Sequence, residues 1–164
     1  MPPTKRRSQR RSAGILLYRR AANDLEVLLV HPGGPLWTRR DVGAWSIPKG
    51  EYLDGEDPLD AARREFEEEL GSAPPSGEAA DLGEVRQKSG KRVRGWALAG
   101  DLDAARITSN TFRLEWPPRS GELIEIPEVD RAAWFGLDAA REKINPAQVQ
   151  LLDRLEQLLG SNPG

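Results

Sequence analysis

Gly50-Glu51-Tyr52-Leu53-Asp54-Gly55-Glu56-Asp57-Pro58-Leu59-Asp60-Ala61-Ala62-Arg63-Arg64-Glu65-Phe66-Glu67-Glu68-Glu69-Leu70-Gly71 contains a whole helix with its start and stop signals. Asp57 can cap the helix and Pro58 holds the first position, where a missing N–H costs nothing. Gly71 ends it, with Pro74 and Pro75 just beyond. Leu59, Ala62, Phe66 and Leu70 recur at three- and four-residue intervals, giving one core-facing stripe. Beside this stripe lies an acidic face: at 100° per residue, Glu65, Glu68 and Glu69 fall within about 100° of one another. Like charges at these spacings cost a few tenths of a kcal/mol per pair. A solvated acidic face and a divalent-cation site, whose hard ion prefers carboxylate oxygens, both account for them.

Outward from the helix, short apolar runs alternate with turn signals. Ile15–Tyr18 and Leu25–Val30 read as strands joined by a turn, and residues 31–41, rich in Pro and Gly, as a loop. Trp45–Pro48 reads as a brief extended segment, leading through Lys49-Gly50 into a polar loop that ends near Glu56. Residues 73–80 read as a linker loop. Strands are expected at Gly83–Gln87, Val93–Ala99, Phe112–Trp116 and Val129–Phe135, and helices at Leu137–Lys143 and Pro146–Leu159. The closing helix carries Val149, Leu152, Leu155 and Leu159 on one stripe. This mixture predicts an α/β (α+β) domain over residues 12–160, a mixed β-sheet between helices. Residues 1–11, with Lys5, Arg6, Arg7, Arg10 and Arg11, read as a disordered basic tail.

Composition removes several function classes. The chain has no cysteine, which excludes a disulfide framework, a thiolate zinc site and a cysteine nucleophile. Net charge is −2, so no global argument points to nucleic acid. No apolar run reaches the roughly 20 residues needed to span a bilayer. The basic N-terminus lacks the apolar stretch of a secretory signal, so a cytoplasmic protein is expected.

The wider spacing is more specific than the three glutamates. Gly50, then Glu56 six positions on, then Arg64-Glu65-Phe66-Glu67-Glu68-Glu69-Leu70-Gly71 is similar to the signature of the Nudix hydrolase family, with MutT-like members. Every charged and glycine position agrees. Ser72 departs, where the family prefers an aliphatic residue. The resemblance implies an α/β/α sandwich and a pyrophosphohydrolase that cuts phosphoanhydride bonds with Mg²⁺ or Mn²⁺. It implies that Glu65, Glu68 and Glu69 bind the metal and that Glu65 is a candidate general base. Gly50 is expected to allow a tight turn that brings the Lys49 carbonyl toward the metal, and Glu56 to pair with Arg64, which also orients a neighbouring carboxylate. A further acid is implied on a loop before the last strand: Glu128, six residues before Trp134, is the candidate ligand or base, with Glu125 and Glu122 as competitors.

Gly43-Ala44-Trp45-Ser46-Ile47-Pro48-Lys49-Gly50 resembles the approach in members acting on dinucleoside polyphosphates and related highly phosphorylated substrates, so dinucleoside polyphosphates or nucleoside triphosphates are the expected substrates. Lys49 would set an ammonium beside a distal phosphate, or simply pair with an acid. Lys88 and Lys91, in the segment Gln87–Trp96, are candidate polyphosphate clamps. Trp96 is either a base-stacking or a core residue, Trp37, Trp45 and Trp116 are candidate platforms for a nucleobase, and Trp134 is a core residue. His31 has no obvious partners for a triad or a zinc site. The expected partner is a nucleotide or polyphosphate rather than nucleic acid or a membrane, for a monomer or homodimer. A catalytically weak, nucleotide-binding regulatory module with the same fold is the alternative.

Overall fold

Eleven residues, Arg11–Ala21, run as one strand, β1, because apolar Ile15, Leu16 and Leu17 are buried on both of its faces. The computed structural model describes residues 11–160 apart from Asn23. The strands that follow are β2 (Asp24–Pro32), β3 (Lys49–Glu51), β4 (Ala80–Arg86), β5 (Arg92–Ala99), β6 (Thr111–Glu115), β7 (Leu123–Pro127) and β8 (Val129–Gly136). The helices are α1 (Pro58–Leu70), α2 (Leu137–Lys143) and α3 (Val149–Gly160).

The main sheet has the order β4-β5-β1-β2-β8. Strand β1 pairs in parallel with β5 along one edge, from Arg11↔Arg92 to Tyr18↔Ala99. Its other edge is shared: β3 pairs with Ser12–Gly14 and β2 with Tyr18–Ala21, both antiparallel. The sheet is therefore mixed, and the split edge brings the Lys49-Gly50 strand beside the centre of the sheet. Side chains alternate between two cores. Ile15, Leu17, Leu28, Trp96 and Leu98 meet Ala62, Phe66 and Leu70 of α1. Leu16, Val27, Leu29 and Ala97 meet Ala140, Leu151, Leu152 and Leu155 of α2 and α3. The expected α/β/α sandwich is the observed architecture.

Some elements differ from the sequence expectation. Lys49–Glu51 is a strand rather than the start of a loop, because β1 offers it an open edge. Strand β4 begins at Ala80, inside the segment read as linker. Leu123–Pro127 forms β7, which pairs with β6 as a separate two-stranded sheet from Thr111↔Pro127 to Glu115↔Leu123. The closing helix is preceded by a 3-10 turn, Pro146–Gln148, before α3 proper. The expected basic tail lies outside the described residues except for Arg11, which opens β1. Among the described residues no helix is long and apolar enough to cross a membrane.

Candidate active site

Helix α1 is fixed at both ends by its own sequence. The Asp57 carboxylate accepts from Asp60 N–H at 3.0 Å, and Gly71, at φ +84°, closes the helix by donating to Glu67 O at 2.8 Å. A Cβ on Gly71 would also stand 2.7 Å from Thr108 O, so glycine serves both the turn and a close approach. Arg64 pairs with Glu56, whose carboxylate also accepts from Leu53 N–H at 3.3 Å. The same guanidinium donates to Glu65 Oε1 at 3.4 Å and Glu51 O at 3.5 Å. Arg64 thus ties the preceding loop, β3 and the first helix glutamate together.

Gly50 has a different role from the tight turn expected of it. It lies in extended β3, opposite Ala13, and a Cβ built on it would overlap the carboxyl carbon and Oε2 of Glu65. The glycine makes room for the Glu65 carboxylate against the backbone of β3.

Across the site, carboxylate oxygens of Glu65, Glu69 and Glu128 all lie within 4.8 Å of one another. All three residues are half-buried. Burial and then the Glu68 charge raise the Glu65 carboxyl above its usual range, against the opposing pull of Arg64. Burial pushes Glu69 up to about 8, with Glu128 and Glu65 adding to it and the Lys49 ammonium and backbone N–H opposing it. Glu128 rises through burial and the charge of Glu68. Three carboxylates pressed toward protonation by burial and by neighbouring glutamates fit a divalent cation, which a cluster of oxygen donors satisfies and whose charge offsets the repulsion. Glu68 stands outside this triad but close enough to act on two of its members, with Arg64 Nε 4.0 Å from its carboxylate. Glu122 and Glu125 are exposed and lie outside the triad, and Glu125 accepts from Thr111 Oγ1 at 3.2 Å.

Lys49 sits among acids and a second cation. Burial and the neighbouring Lys91 ammonium bring it down to about 8, against the attraction of Glu69 and Glu51. Lys91 is itself 4.0 Å from Glu51. Lys88, by contrast, is exposed on the β4–β5 turn.

Lys49, Glu69 and Glu128 line a cleft of about 550 Å³ together with Trp37, Gln87, Ser89 and Gln148. A hollow of about 610 Å³ around Arg19 and Trp134 contains none of the clustered acids, and its Arg19 is engaged by Glu26 and Asp101. The tryptophans separate by position. Trp96 is core, packed on the α1 side. Trp45 also lines the cleft but is 3% exposed, with Nε1 donating to Asp41 at 2.8 Å and its ring edge-on to His31 and Phe135. With Arg131 also over the ring, Trp45 forms wall rather than a free stacking surface, contrary to its expected use as a base platform. Trp37, 36% exposed, is the more accessible cleft tryptophan, with the Arg40 guanidinium 5.5 Å over one face of its ring. Trp116 is not among the residues lining the cleft. Trp134 is only half-buried, donating Nε1 to Leu102 O at 3.0 Å beneath the Arg19 guanidinium.

Two features escaped the sequence reading. Fully buried Gln148 lines the cleft, accepting from Ile47 N–H at 3.1 Å and donating to Ser46 Oγ at 3.0 Å. Its only signal is an amide beside the start of an amphipathic helix. His31, read as incidental, is fully buried and ties Asp130 (2.8 Å) to the Arg40 carbonyl (2.6 Å). Both partners are remote in sequence or belong to the backbone, so a lone histidine gave no hint of them.

Compared with known proteins, the chain matches the family model of the NUDIX domain over residues 8–155. It is similar to the RNA pyrophosphohydrolase of Rhodospirillum rubrum, 30% identical over 143 residues that cover 82% of this chain and 82% of the relative. Among solved structures it resembles the Ap4A hydrolase of C. elegans in a binary complex, with a TM-score of 0.65, 23% identity, and coverage of 93% of this chain and 99% of the other. It also resembles the NUDIX domain of Shewanella oneidensis NrtR complexed with ADP ribose, with a TM-score of 0.62, 18% identity, and coverage of 91% and 87%. At those identities the two structural likenesses concern the fold.

Proposed function

The chain belongs to the NUDIX family of hydrolases acting on acid anhydrides, and from that premise we propose that it is a Mg²⁺- or Mn²⁺-dependent pyrophosphohydrolase of nucleoside diphosphates linked to another group. The observation that carries this reading is the convergence of Glu65, Glu69 and Glu128 within 4.8 Å. These residues would hold the metal, with Glu68 beside them and the Lys49 carbonyl as a further oxygen. When bound, a divalent ion polarises the phosphoryl oxygens and lowers the pKa of the attacking water. The chain's own residues do the rest. Arg64 donates to Glu65 and keeps it oriented as a ligand, whereas among the described residues Glu128 has no ion pair. Glu128 is therefore the better placed of the two candidates to take the proton of the water. Lys49 and Lys91 supply positive charge for a phosphate chain, and Trp37 offers its ring to the nucleobase.

Dinucleoside polyphosphates and nucleoside triphosphates are the substrates this arrangement fits first. A triphosphorylated RNA 5′ end presents the same phosphates, and the likeness to an RNA pyrophosphohydrolase favours it as a second reading. The test is turnover of a dinucleoside tetraphosphate, a nucleoside triphosphate and a 5′-triphosphorylated oligonucleotide with Mg²⁺ and with Mn²⁺, with products identified. Hydrolysis of at least one, abolished by chelation, is the expected result. Tight nucleotide binding with no cleavage of any would replace the enzyme with a nucleotide-binding regulatory module.

A further inference from the structure

Glu67, Glu68 and Glu69 fill the last turn of α1, and that turn has no basic residue. Acids at the C-terminal end of a helix oppose its dipole, and Glu128 adds a further carboxylate beside Glu69. The contacts that hold it there come from one short stretch. Thr108 N–H donates to Leu70 O at 3.2 Å, and Asn110 N–H to Glu68 O at 2.8 Å, satisfying carbonyls at the helix end. The Asn110 carbonyl in turn accepts from Glu128 N–H at 2.8 Å. Ser109 Oγ accepts from Val129 N–H at 3.0 Å and donates to the same Asn110 carbonyl at 2.9 Å. On the other side of this segment, Gly33 N–H donates to Glu128 O at 3.1 Å, and a Cβ on Gly33 would overlap Pro127 O. Residues 108–110 are thus a strap between the C-terminal turn of the glutamate helix and the peptide that carries Glu128.

Most of these bonds are backbone to backbone, and almost any side chains would allow them. The exception is the Ser109 hydroxyl, which accepts on one side and donates on the other. Its partner Val129 is buried, so water does not replace the lost acceptor without displacement of the chain.

We propose that Ser109 is a positioning residue for the metal centre: its hydroxyl seats the Glu128 segment on the end of α1, so that the Glu128 carboxylate meets those of Glu65 and Glu69. The proposal rests on the metal-binding reading above.

The experiment measures Mn²⁺ affinity of the substrate-free protein, by the spin-resonance signal of free Mn²⁺, for wild type, S109A, E128Q and the double variant, with thermal melts alongside. S109A weakens Mn²⁺ binding by about tenfold, in the range seen when a residue behind a metal ligand is removed. S109T, which keeps the hydroxyl, restores the wild-type affinity. In the E128Q background S109A adds no further loss, because its effect runs through Glu128. A merely structural contribution would weaken binding equally in both backgrounds, and that additivity overturns the proposal, as does wild-type affinity in S109A. Should S109A fail to melt cooperatively, S109C takes its place in the same cycle, since sulfur keeps the bulk but is a weak acceptor. E69Q separates the two levels of inference. If E69Q binds Mn²⁺ like wild type, the metal reading and the strap's role fall together. If E69Q loses binding and S109A does not, only the role of Ser109 falls.

Discussion

A methyl group on Gly50 would occupy space held by the Glu65 carboxylate, and that side chain, rather than the strand, is the part free to move. G50A is therefore expected to swing Glu65 away from Glu69 and Glu128 while leaving the fold intact. Activity and metal affinity should fall by about 10–100-fold, as for other changes behind a metal ligand, with little change in melting temperature. Equal loss of stability and activity would show that the β3 backbone had yielded instead. E69Q removes an oxygen donor and a charge from the cluster and should lower kcat by orders of magnitude; near-normal turnover would sink the mechanism. W37A tests substrate placement, because removal of a stacking surface should raise KM with kcat little changed. Glu65, Glu69, Arg64 and Glu56 have a spacing local to one helix and the loop before it, and that spacing is what carries the family resemblance from which their candidate roles come. The true use of Gly50 was not, since it depends on which side chain of α1 lands on β3. Glu128 was legible only by resemblance, and Ser109 and Gln148 not at all, because their partners lie far away in sequence or on the backbone.

Helix α1 is the element most fully specified by its own residues: its bounds, its caps and its buried stripe all follow from Pro58–Leu70 and the residues either side. The Asp57 cap accepts from Asp60 N–H, and D57A should cost about 1 kcal/mol. For a chain of this length that corresponds to roughly 2–4 °C in melting temperature. The loss should leave kcat/KM unchanged, because the cap is at the end of the helix opposite the glutamates; a parallel fall in activity would mean that helix-end fraying reaches the metal site. Strands β3 and β7 show where local reading stops. A three-residue strand such as Lys49–Glu51 has no periodicity of its own and exists because β1 leaves part of an edge open. Leu123–Pro127 ends in proline and carries a glutamate in its middle, and its pairing with β6 decides its structure. The hairpin of β6 and β7 matters to the site, because it delivers the chain to Glu128 directly after its last residue.

In the whole molecule the clustered acids set a cost that the metal removes. Glu69 is raised in the fold from 4.5 to about 8, so its contribution to stability is fully present below about pH 4.5 and is lost as pH rises through about 8. Lys49 is lowered from 10.5 to about 8, so its contribution is present above about pH 10.5 and is lost as pH falls through about 8. The two penalties overlap most near pH 8, where the metal-free protein should be least helped by this site. Metal binding needs Glu69 ionised, so affinity should rise between pH 6 and 8 as the proton is given up. At free metal a hundredfold above its dissociation constant, the fold gains about 2.7 kcal/mol, or roughly 5–10 °C in melting temperature. Melts recorded at pH 6 and pH 8, with and without a fixed concentration of Mn²⁺, should therefore show a wider gap at pH 8. E69Q, which lacks this ligand as well as its proton, should show little gap at either pH. A gap that is the same at both pH values in the wild type would mean that Glu69 is not the group whose ionisation the metal requires.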